Sequence, residues 1–384
     1  MRGFLSIIYV LLLLTSCKQD HNMAPDASEA EKQYFEDYRS PEYLWGFIDR
    51  TGSLVISDRY DDLRDFSQGL AAANYKGKWG YIDRSGETSI PFNYKSARSF
   101  SEGLAIVENM EGDYSVINRD GQVVLEVDYD EISPFQEGIS RVKKNGLFGY
   151  VSKEGKEIIT PQYKRASTFS DGLAIVKESD RSGIIDTAGN YIIQPRYNRL
   201  MINNEGIVLM KDKDGSSYYS VRDGKTLHQS SYIDAINYSG AYAAAQSEGG
   251  WHIIDRSGNT LSDYYKHIKP GGENHWFYKN DSKWGILDAT GTPLTSEEYD
   301  ILYPYKEKRA IYSIADNWGI IDEHGVKVTQ PIFPLLWAYQ DGLCRAIYNR
   351  GVGFLDLSGN PAIPARFYEV RDFFQGRARV EIIR

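Results

Sequence analysis

Trp79-Gly80-Tyr81-Ile82-Asp83-Arg84-Ser85-Gly86 is the clearest copy of a motif that fills most of the chain. The copy continues through Ile90-Pro91-Phe92-Asn93-Tyr94 and ends on Phe100-Ser101-Glu102-Gly103-Leu104-Ala105-Ile106-Val107. The position of Trp79 recurs, at steps of 33 to 35 residues, at Trp45, Tyr114, Phe148, Ser182, Ser217, Trp251, Trp284, Trp318 and Val352. A period this regular indicates a repeat architecture, in which each unit completes its core against its neighbours.

Each repeat has the pattern of short strands joined by tight turns. Apolar and polar residues alternate, and Gly or Pro interrupts them at intervals of about ten residues. Residues 79–83 and 104–108 each fit a strand, with a third strand around 88–90. Asp83 and Gly86 hold the first and last positions of a type I turn. We therefore predict an all-β chain of about ten three-stranded antiparallel meanders, each of about 34 residues.

The ends of the array decide between two arrangements. The copies begin on the Trp strand and end on the strand around 377–383, so that each terminal strand lacks its usual partner. A propeller-like ring could pair these two strands, but propellers typically have about four to eight blades. We therefore expect an open, curved, solenoid-like array, with the closed ring as the alternative.

Several recurring residues have the character of scaffolding. A tryptophan ring carries a large apolar surface, and a glycine beside it lets a neighbouring backbone or ring approach closely. Small residues at one parity, such as Ala105 and Val107, predict a face buried against a close neighbour, and Cys344 falls in such a position. The repeat positions assigned to structure are Trp45, Gly46, Trp79, Gly80, Trp251, Trp284, Gly285, Trp318 and Gly319.

The Trp-Gly-x-Ile-Asp motif, the Ile-Pro pair and the Phe-Ser-Glu-Gly-Leu-Ala strand together resemble the WG-repeat family of bacterial proteins. The resemblance covers residues 43–384, although the repeats near 114, 182 and 217 lack the Trp and His252 replaces one glycine. It implies a β-rich repeat of the kind found in exported or surface proteins. It implies no catalytic residues.

The N-terminus reads as a targeting segment. Arg2 precedes an apolar run from Phe4 to Leu14, which fits a secretory signal and is too short to span a bilayer. Leu14-Thr15-Ser16-Cys17 resembles the lipobox of bacterial lipoproteins, which implies removal of a signal peptide over 1–16 and a diacylglycerol on Cys17. Residues 17–42 are then a polar tether and 43–384 the array. Lys18, where an aspartate would imply retention at the inner membrane, implies the outer membrane, on its periplasmic or surface side. An ordinary secretory signal is the alternative.

Composition and motifs argue against several classes of activity. A formal net charge of −9 is unsuited to nucleic acid. The six histidines lack metal-ligand spacing, and no known nucleophile or phosphate-loop motif is present. The recurring Asp83-type carboxylates could be a calcium ladder, but calcium takes about six to eight oxygens, and turn capping explains the recurrence. We predict no enzyme activity, no cofactor and no metal.

Binding is the favoured role. The sixth to eighth repeats depart most from the motif and are rich in rings that suit a recognition platform for protein or polysaccharide. These candidate binding residues are Trp276, Phe277, Tyr278, Tyr242 and Tyr238. Decay of redundant repeats, or a dimer contact, is the structural alternative. We expect a lipid-anchored, non-catalytic cell-envelope protein that binds a protein or polysaccharide. A glycan-active envelope enzyme and an architectural spacer are the competing hypotheses.

Overall fold

The computed structural model describes residues 43–228 and 230–383, and the predictions for the signal peptide, Cys17 and the tether lie outside them. The described chain is all-β, with its strands arranged in ten small antiparallel sheets. Each sheet is one blade of a propeller-like ring, and we number the blades 1 to 10. Within the described residues, no helix has the length and apolarity needed to cross a membrane.

Blade 2 shows the complete pattern of four strands, which we call a, b, c and d in chain order. They are β3 (Asp62–Leu63), β4 (Leu70–Tyr75), β5 (Lys78–Asp83) and β6 (Thr88–Tyr94), hydrogen-bonded in that order. The Trp-Gly motif lies on strand c. One sequence repeat therefore supplies strands c and d of one blade and strands a and b of the next.

Blades 3 to 6 and blade 10 keep these four strands. The predicted three-stranded meander therefore gains a short strand a, which in blade 3 lies just before Phe100. In blades 3 and 4 the strands are β7 (Ser96–Ala97), β8 (Leu104–Glu108), β9 (Tyr114–Asn118), β10 (Val123–Val127), β11 (Glu131–Ile132), β12 (Ile139–Lys144), β13 (Leu147–Ser152) and β14 (Glu157–Tyr163). In blades 5 and 6 they are β15 (Arg165–Ala166), β16 (Leu173–Glu178), β17 (Arg181–Asp186), β18 (Tyr191–Tyr197), β19 (Arg199–Ile202), β20 (Ile207–Asp212), β21 (Gly215–Ser220) and β22 (Lys225–Thr226). In blade 10 they are β32 (Leu335–Leu336), β33 (Cys344–Tyr348), β34 (Gly351–Leu355) and β35 (Pro361–Phe367).

Blades 7 to 9 have three strands, because strand d is reduced to isolated bridges such as Trp284 with Tyr299. Their strands are β23 (Asp234–Ala235), β24 (Tyr242–Ser247), β25 (Gly250–Asp255), β26 (His267–Gly272), β27 (His275–Lys279), β28 (Gly285–Leu287), β29 (Ile301–Lys306), β30 (Arg309–Ile314) and β31 (Asn317–Asp322).

Blade 1 closes the ring by combining the two ends of the array. Its strands a and b are β36 (Glu369–Val370) and β37 (Ala378–Ile383), and its strands c and d are β1 (Tyr43–Ile48) and β2 (Leu54–Tyr60). β1 and β37 pair antiparallel over six residues, from Tyr43 with Ile383 to Ile48 with Ala378. The expected open array is therefore wrong, and the closed ring is the arrangement found.

The core lies between blades rather than within them. Buried Leu70, Trp79 and Tyr81 of blade 2 pack against Phe100 and Val107 of blade 3. An equivalent apolar cluster lies at each of the ten blade interfaces of the described chain, including the one between blades 10 and 1. The small residues predicted to face a close neighbour are buried, since Ala105, Val107 and Cys344 are each at most 2% exposed. Each blade thus relies on its two neighbours for an interior.

Strand c carries the two features that define the motif. Its pairing with strand d shifts register between Trp79 and Tyr81, and this irregularity brings the carbonyl of Ile90 over Gly80. At its end, the Asp83 carboxylate accepts the backbone N–H groups of Ser85 and Glu87. The glycine therefore admits a neighbouring backbone and the aspartate caps a turn, as the sequence predicted.

Candidate binding surfaces

The ring has two faces, because successive connections of an antiparallel meander lie at opposite ends of the strands. We call the face with the a–b and c–d turns the turn face. We call the face with the b–c hairpins and the d–a loops the hairpin face. Every blade therefore contributes two connections to each face. A ligand can therefore meet either a surface of short turns or a surface of hairpins and loops.

The aromatic residues expected to form an exposed platform lie mostly in the core. Trp276 is 2%, Phe277 0%, Tyr278 7% and Tyr238 4% exposed, while Tyr242 is half-buried against the cluster between blades 7 and 8. The expected exposure is therefore wrong for four of the five rings and only partly met by Tyr242.

The burial of these rings has a packing cause. Trp276, Phe277 and Tyr278 lie on β27, the central strand of blade 8, which lacks a regular strand d. The Tyr278 hydroxyl donates to the carbonyl of Thr295 at 2.9 Å, and its ring covers Gly285 so closely that a Cβ there would overlap it. The Tyr278 ring on strand b thus covers the glycine that strand d covers in blade 2. Tyr312 covers Gly319 in blade 9 in the same way.

The repeat tryptophans are partly covered scaffold residues. Trp79 is buried, and Trp45, Trp251, Trp284 and Trp318 are half-buried. Most of these rings lie beneath a side chain from strand a of the same blade, or from the residue that follows strand a. The partners are Arg371 over Trp45 at 5.6 Å, Arg64 over Trp79 at 5.2 Å, Lys269 over Trp284 at 4.3 Å, and Tyr303 stacked on Trp318 at 5.5 Å. A cation over an indole ring stabilises this packing. Gly46, like Gly80, lies against backbone atoms of strand d.

The d–a loops divide the ring into a polar half and an apolar half. Each d–a loop holds a recurring aromatic residue, the Tyr94-type ring, which is Tyr60, Tyr94, Tyr129, Tyr163 and Tyr197 in the five loops from 59–62 to 196–199. In these five loops the residues that flank the ring are all polar or charged. Each of the next five loops instead carries one exposed large apolar residue. These five residues, which we call the apolar arc, are Ile233 (61% exposed), Tyr264 (49%), Ile301 (43%), Ile332 (68%) and Tyr368 (54%).

The apolar arc continues into neighbouring side chains. Tyr368 contacts the exposed ring of Tyr43, with ring centroids 6.0 Å apart. Exposed apolar side chains grouped on one side of a protein are typical of interaction sites. Sequence analysis missed the arc because its members occupy different positions in the loop. Aligning the residues on either side of each Tyr94-type ring would have found it.

The turn face carries a collar of carboxylates. The residue equivalent to Gln68, which in blade 2 lies two before the start of strand b, is acidic in seven of ten blades. These collar residues are Gln68, Glu102, Glu137, Asp171, Glu205, Gly240, Glu273, Glu307, Asp341 and Gln375. Glu102 accepts the N–H groups of Glu137 and Gly138 in the next blade at 2.7 and 2.9 Å. Glu273 binds the turn of Glu307 and Lys308 identically. The collar therefore links neighbouring blades.

A groove of about 300 Å³ lies at ring closure, lined by Asp65, Gln340, Arg371, Asp372, Phe373, Phe374 and Arg379. Its carboxylates are engaged by arginines: Arg379 binds Asp65 at 2.7 Å and Arg345 binds Asp372 at 2.5 Å. Both pairs join successive blades. The groove is thus a junction between blades, and arginines of adjacent blades neutralise its carboxylates.

Reactive groups are scarce in the described part of the chain. Burial raises the pKa of the Cys344 thiol to about 12, and its Sγ donates to the carbonyl of Trp337. Among residues 43–228 and 230–383, no group of three or more His, Cys, Asp or Glu side chains is placed to hold a metal ion. The hydroxyl of Ser85 and neighbouring backbone N–H groups hold the pKa of Asp83 below its usual value, as expected of a turn cap.

Comparisons with known proteins place the chain among repeat proteins. No curated protein matches its sequence. Similar solved structures include a eukaryotic initiation factor (11% identity, 82% of this chain and 98% of that one, TM-score 0.49). BamB from Moraxella catarrhalis is also similar (12% identity, 69% and 89%, TM-score 0.33), as is Hsv2 from Kluyveromyces lactis (8% identity, 67% and 95%, TM-score 0.31).

The family profile described as WG containing repeat matches seven stretches, which together make up more than half of the chain. They are residues 45–79, 79–110, 114–148, 148–181, 183–215, 318–349 and 353–382. The chain therefore belongs to the family of proteins with the WG containing repeat.

Proposed function

We propose that the protein is a lipid-anchored, non-catalytic scaffold of the cell envelope, whose ring binds a partner protein through the apolar arc. The observation that carries the binding role is the division of the d–a loops into five consecutive polar loops and five consecutive loops with an exposed apolar residue. A repeat that only maintained the ring would distribute such residues around it without regard to position. Their confinement to one half supports a directional surface.

The chemistry of the arc favours protein over polysaccharide. Three of its five members are isoleucines, and Ile332 and Ile233 are the most exposed of all. Sugars stack on flat aromatic faces, whereas branched aliphatic side chains match the apolar core of a protein interface. The other two members, Tyr264 and Tyr368, add aromatic rings with polar hydroxyl groups, and tyrosines are enriched at protein interfaces.

Crosslinking from defined positions tests the arc. A photoreactive phenylalanine analogue at Ile332 should capture a discrete envelope protein, and the same analogue at Asn93, the equivalent loop position in the polar half, should not. Replacing Ile233 and Ile301 with Ser should abolish capture from position 332. Equal capture from positions 93 and 332 would refute the arc. Arc-dependent retention on insoluble envelope polysaccharide, without protein capture, would identify the partner as glycan.

The membrane anchor is proposed from the Leu14-Thr15-Ser16-Cys17 motif, which lies outside the described residues. Cys17→Ser should abolish incorporation of labelled fatty acid and move the protein from the membrane to the soluble fraction. Ser16→Thr, which leaves the thiol in place, provides a control for general disturbance of the signal. Continued membrane retention of Cys17→Ser would contradict the proposal, as would acylation of that variant.

A further inference from the structure

One a–b turn on the turn face of the described chain lacks the carboxylate that binds the equivalent turn in several other blades. In three other blades, a Glu of the preceding blade accepts both N–H groups of the turn. Glu137, for example, binds the N–H groups of Asp171 and Gly172 at 2.5 and 2.8 Å. Two successive residues with positive φ direct both N–H groups outward, which makes a concave anion site. The equivalent turns therefore show which group a turn of this kind binds, namely a side-chain carboxylate.

The turn of Gln68 and Gly69 has the same geometry, with φ values of +52° and +85°. The preceding blade presents Gln375 where others present Glu or Asp, and within the described residues neither N–H group meets a protein acceptor. Gln68 is itself the neighbouring neutral collar residue, and its amide oxygen accepts the N–H of Gly103 at 2.8 Å. Two successive neutral residues therefore interrupt the acidic collar at this place.

A cationic side chain, that of Arg119, lies beside the interruption. Arg119 Nη2 lies 3.4 Å from the point that a Cβ on Gly69 would occupy. The equivalent Arg50 and Arg84 donate to the carbonyls of Asp341 and Gln375 at 2.6 and 2.5 Å. Arg119 is exposed and, within the described residues, makes neither a hydrogen bond nor an ion pair. Its guanidinium is therefore available to a ligand.

An open groove of about 640 Å³ gives access to the turn, and its lining is Gly69, Leu70, Asp83, Ser89, Arg119 and Asp120. Asp83 is occupied by the N–H groups of its own turn. Asp120 is exposed at the rim. The groove thus combines two outward N–H groups with one unpaired guanidinium.

We propose that the turn of Gln68 and Gly69, together with Arg119, binds the carboxylate of an acidic side chain on a partner protein. Two N–H groups and a guanidinium are the donors that a carboxylate accepts most strongly. A side-chain carboxylate fits best, because the equivalent turns are occupied by side chains of Glu and Asp. The site lies on the turn face and is independent of the apolar arc, so each can fail without the other.

The test titrates full-length, ¹⁵N-labelled protein with end-blocked hexaglutamate and follows the backbone amide signals of Gln68 and Gly69. We expect a saturable shift at both amides that hexaglutamine does not produce. Gln375→Glu supplies the missing carboxylate from the chain itself, as in other blades, and should weaken binding at least about tenfold without lowering the unfolding midpoint. Arg119→Gln should weaken it at least about threefold.

Gln136→Glu is the matched control, since it makes the same charge change at an exposed residue in the a–b turn of blade 4 and leaves the 68–69 turn unfilled. It should retain most of the affinity. Loss equal to that of Gln375→Glu would mean that charge alone is responsible and would overturn the site. Absence of a saturable shift would also overturn it. Tighter binding of trigalacturonate than of hexaglutamate would replace the protein partner with an acidic glycan.

Discussion

Replacing Gly80 with Ala tests why the Trp-Gly pair defines the repeat. A Cβ at this position would lie 2.7 Å from the carbonyl oxygen of Ile90 and 2.9 Å from both the backbone N and a ring carbon of Phe92. All three distances are well inside van der Waals contact. Two of the three atoms belong to the backbone of strand d, which cannot turn aside as a flexible side chain can.

The cost follows from what must move. Ile90 is 2% exposed, and its Cγ2 lies 3.1 Å from the point that a Cβ on Gly121 of the next blade would occupy. Displacing strand d therefore disturbs the interface with blade 3 as well. Overpacking costs about 1–3 kcal/mol and occasionally more. With three such contacts, we expect Gly80→Ala to lower the free energy of unfolding by about 3 kcal/mol.

The assay is urea unfolding followed by far-UV circular dichroism and tryptophan fluorescence. Gly77→Ala is the control, because nothing lies within 4 Å of its Cβ position and only its φ of +76° opposes the change. It should cost about 1 kcal/mol. If Gly80→Ala destabilised the protein no more than Gly77→Ala, the close approach of strand d would not be the reason for the glycine.

Three further predictions follow from burial and charge. Trp79→Ala should lower the free energy of unfolding, measured in urea, by about 3 kcal/mol. Trp45→Ala should lower it by less, because Trp45 is only half-buried. A change near zero for Trp79→Ala would contradict the burial of that ring. Because the pKa of Asp83 is lowered in the folded state, its charge stabilises the fold above the unfolded pKa and ceases to do so as pH falls through the folded pKa. The difference in unfolding midpoint between wild type and Asp83→Asn should therefore shrink below about pH 4, and a constant difference would refute the turn cap. Since burial raises the pKa of Cys344 to about 12, iodoacetamide at pH 8 should label it only after unfolding, and rapid labelling of the native protein would contradict its position.

Local features of the repeat were predictable because their causes are local. Asp83 caps its own turn, so the spacing from Asp to Gly was sufficient to assign it. The crowding at Gly80 comes from a strand only about ten residues along the chain, within one meander. The alternation of Ala105 and Val107 reports directly on a face buried against the next blade.

The rings of blade 8 were misjudged because their environment depends on a missing strand. Departure from the motif suggested that Trp276 and Tyr278 were free for recognition. In the structure, strand d of this blade is reduced to bridges, and the Tyr278 ring on β27 covers Gly285, where strand d covers Gly80 in blade 2. Trp276 is buried at the interface with blade 7. A core position with altered neighbours and an exposed position look alike in one sequence, since both abandon the small-residue pattern.

Closure of the ring could be inferred from the strands on which the repeats begin and end. The usual number of propeller blades argued against it. An open array would leave the edges of β1 (Tyr43–Ile48) and β37 (Ala378–Ile383) unpaired, and unpaired edges invite aggregation. It would also expose the apolar cluster of Phe354, Val370 and Val380 between blades 10 and 1. Pairing the two strands removes both penalties at once. The pairing of the two terminal strands therefore decides whether the ring closes. The number of blades only sets the angle between successive blades.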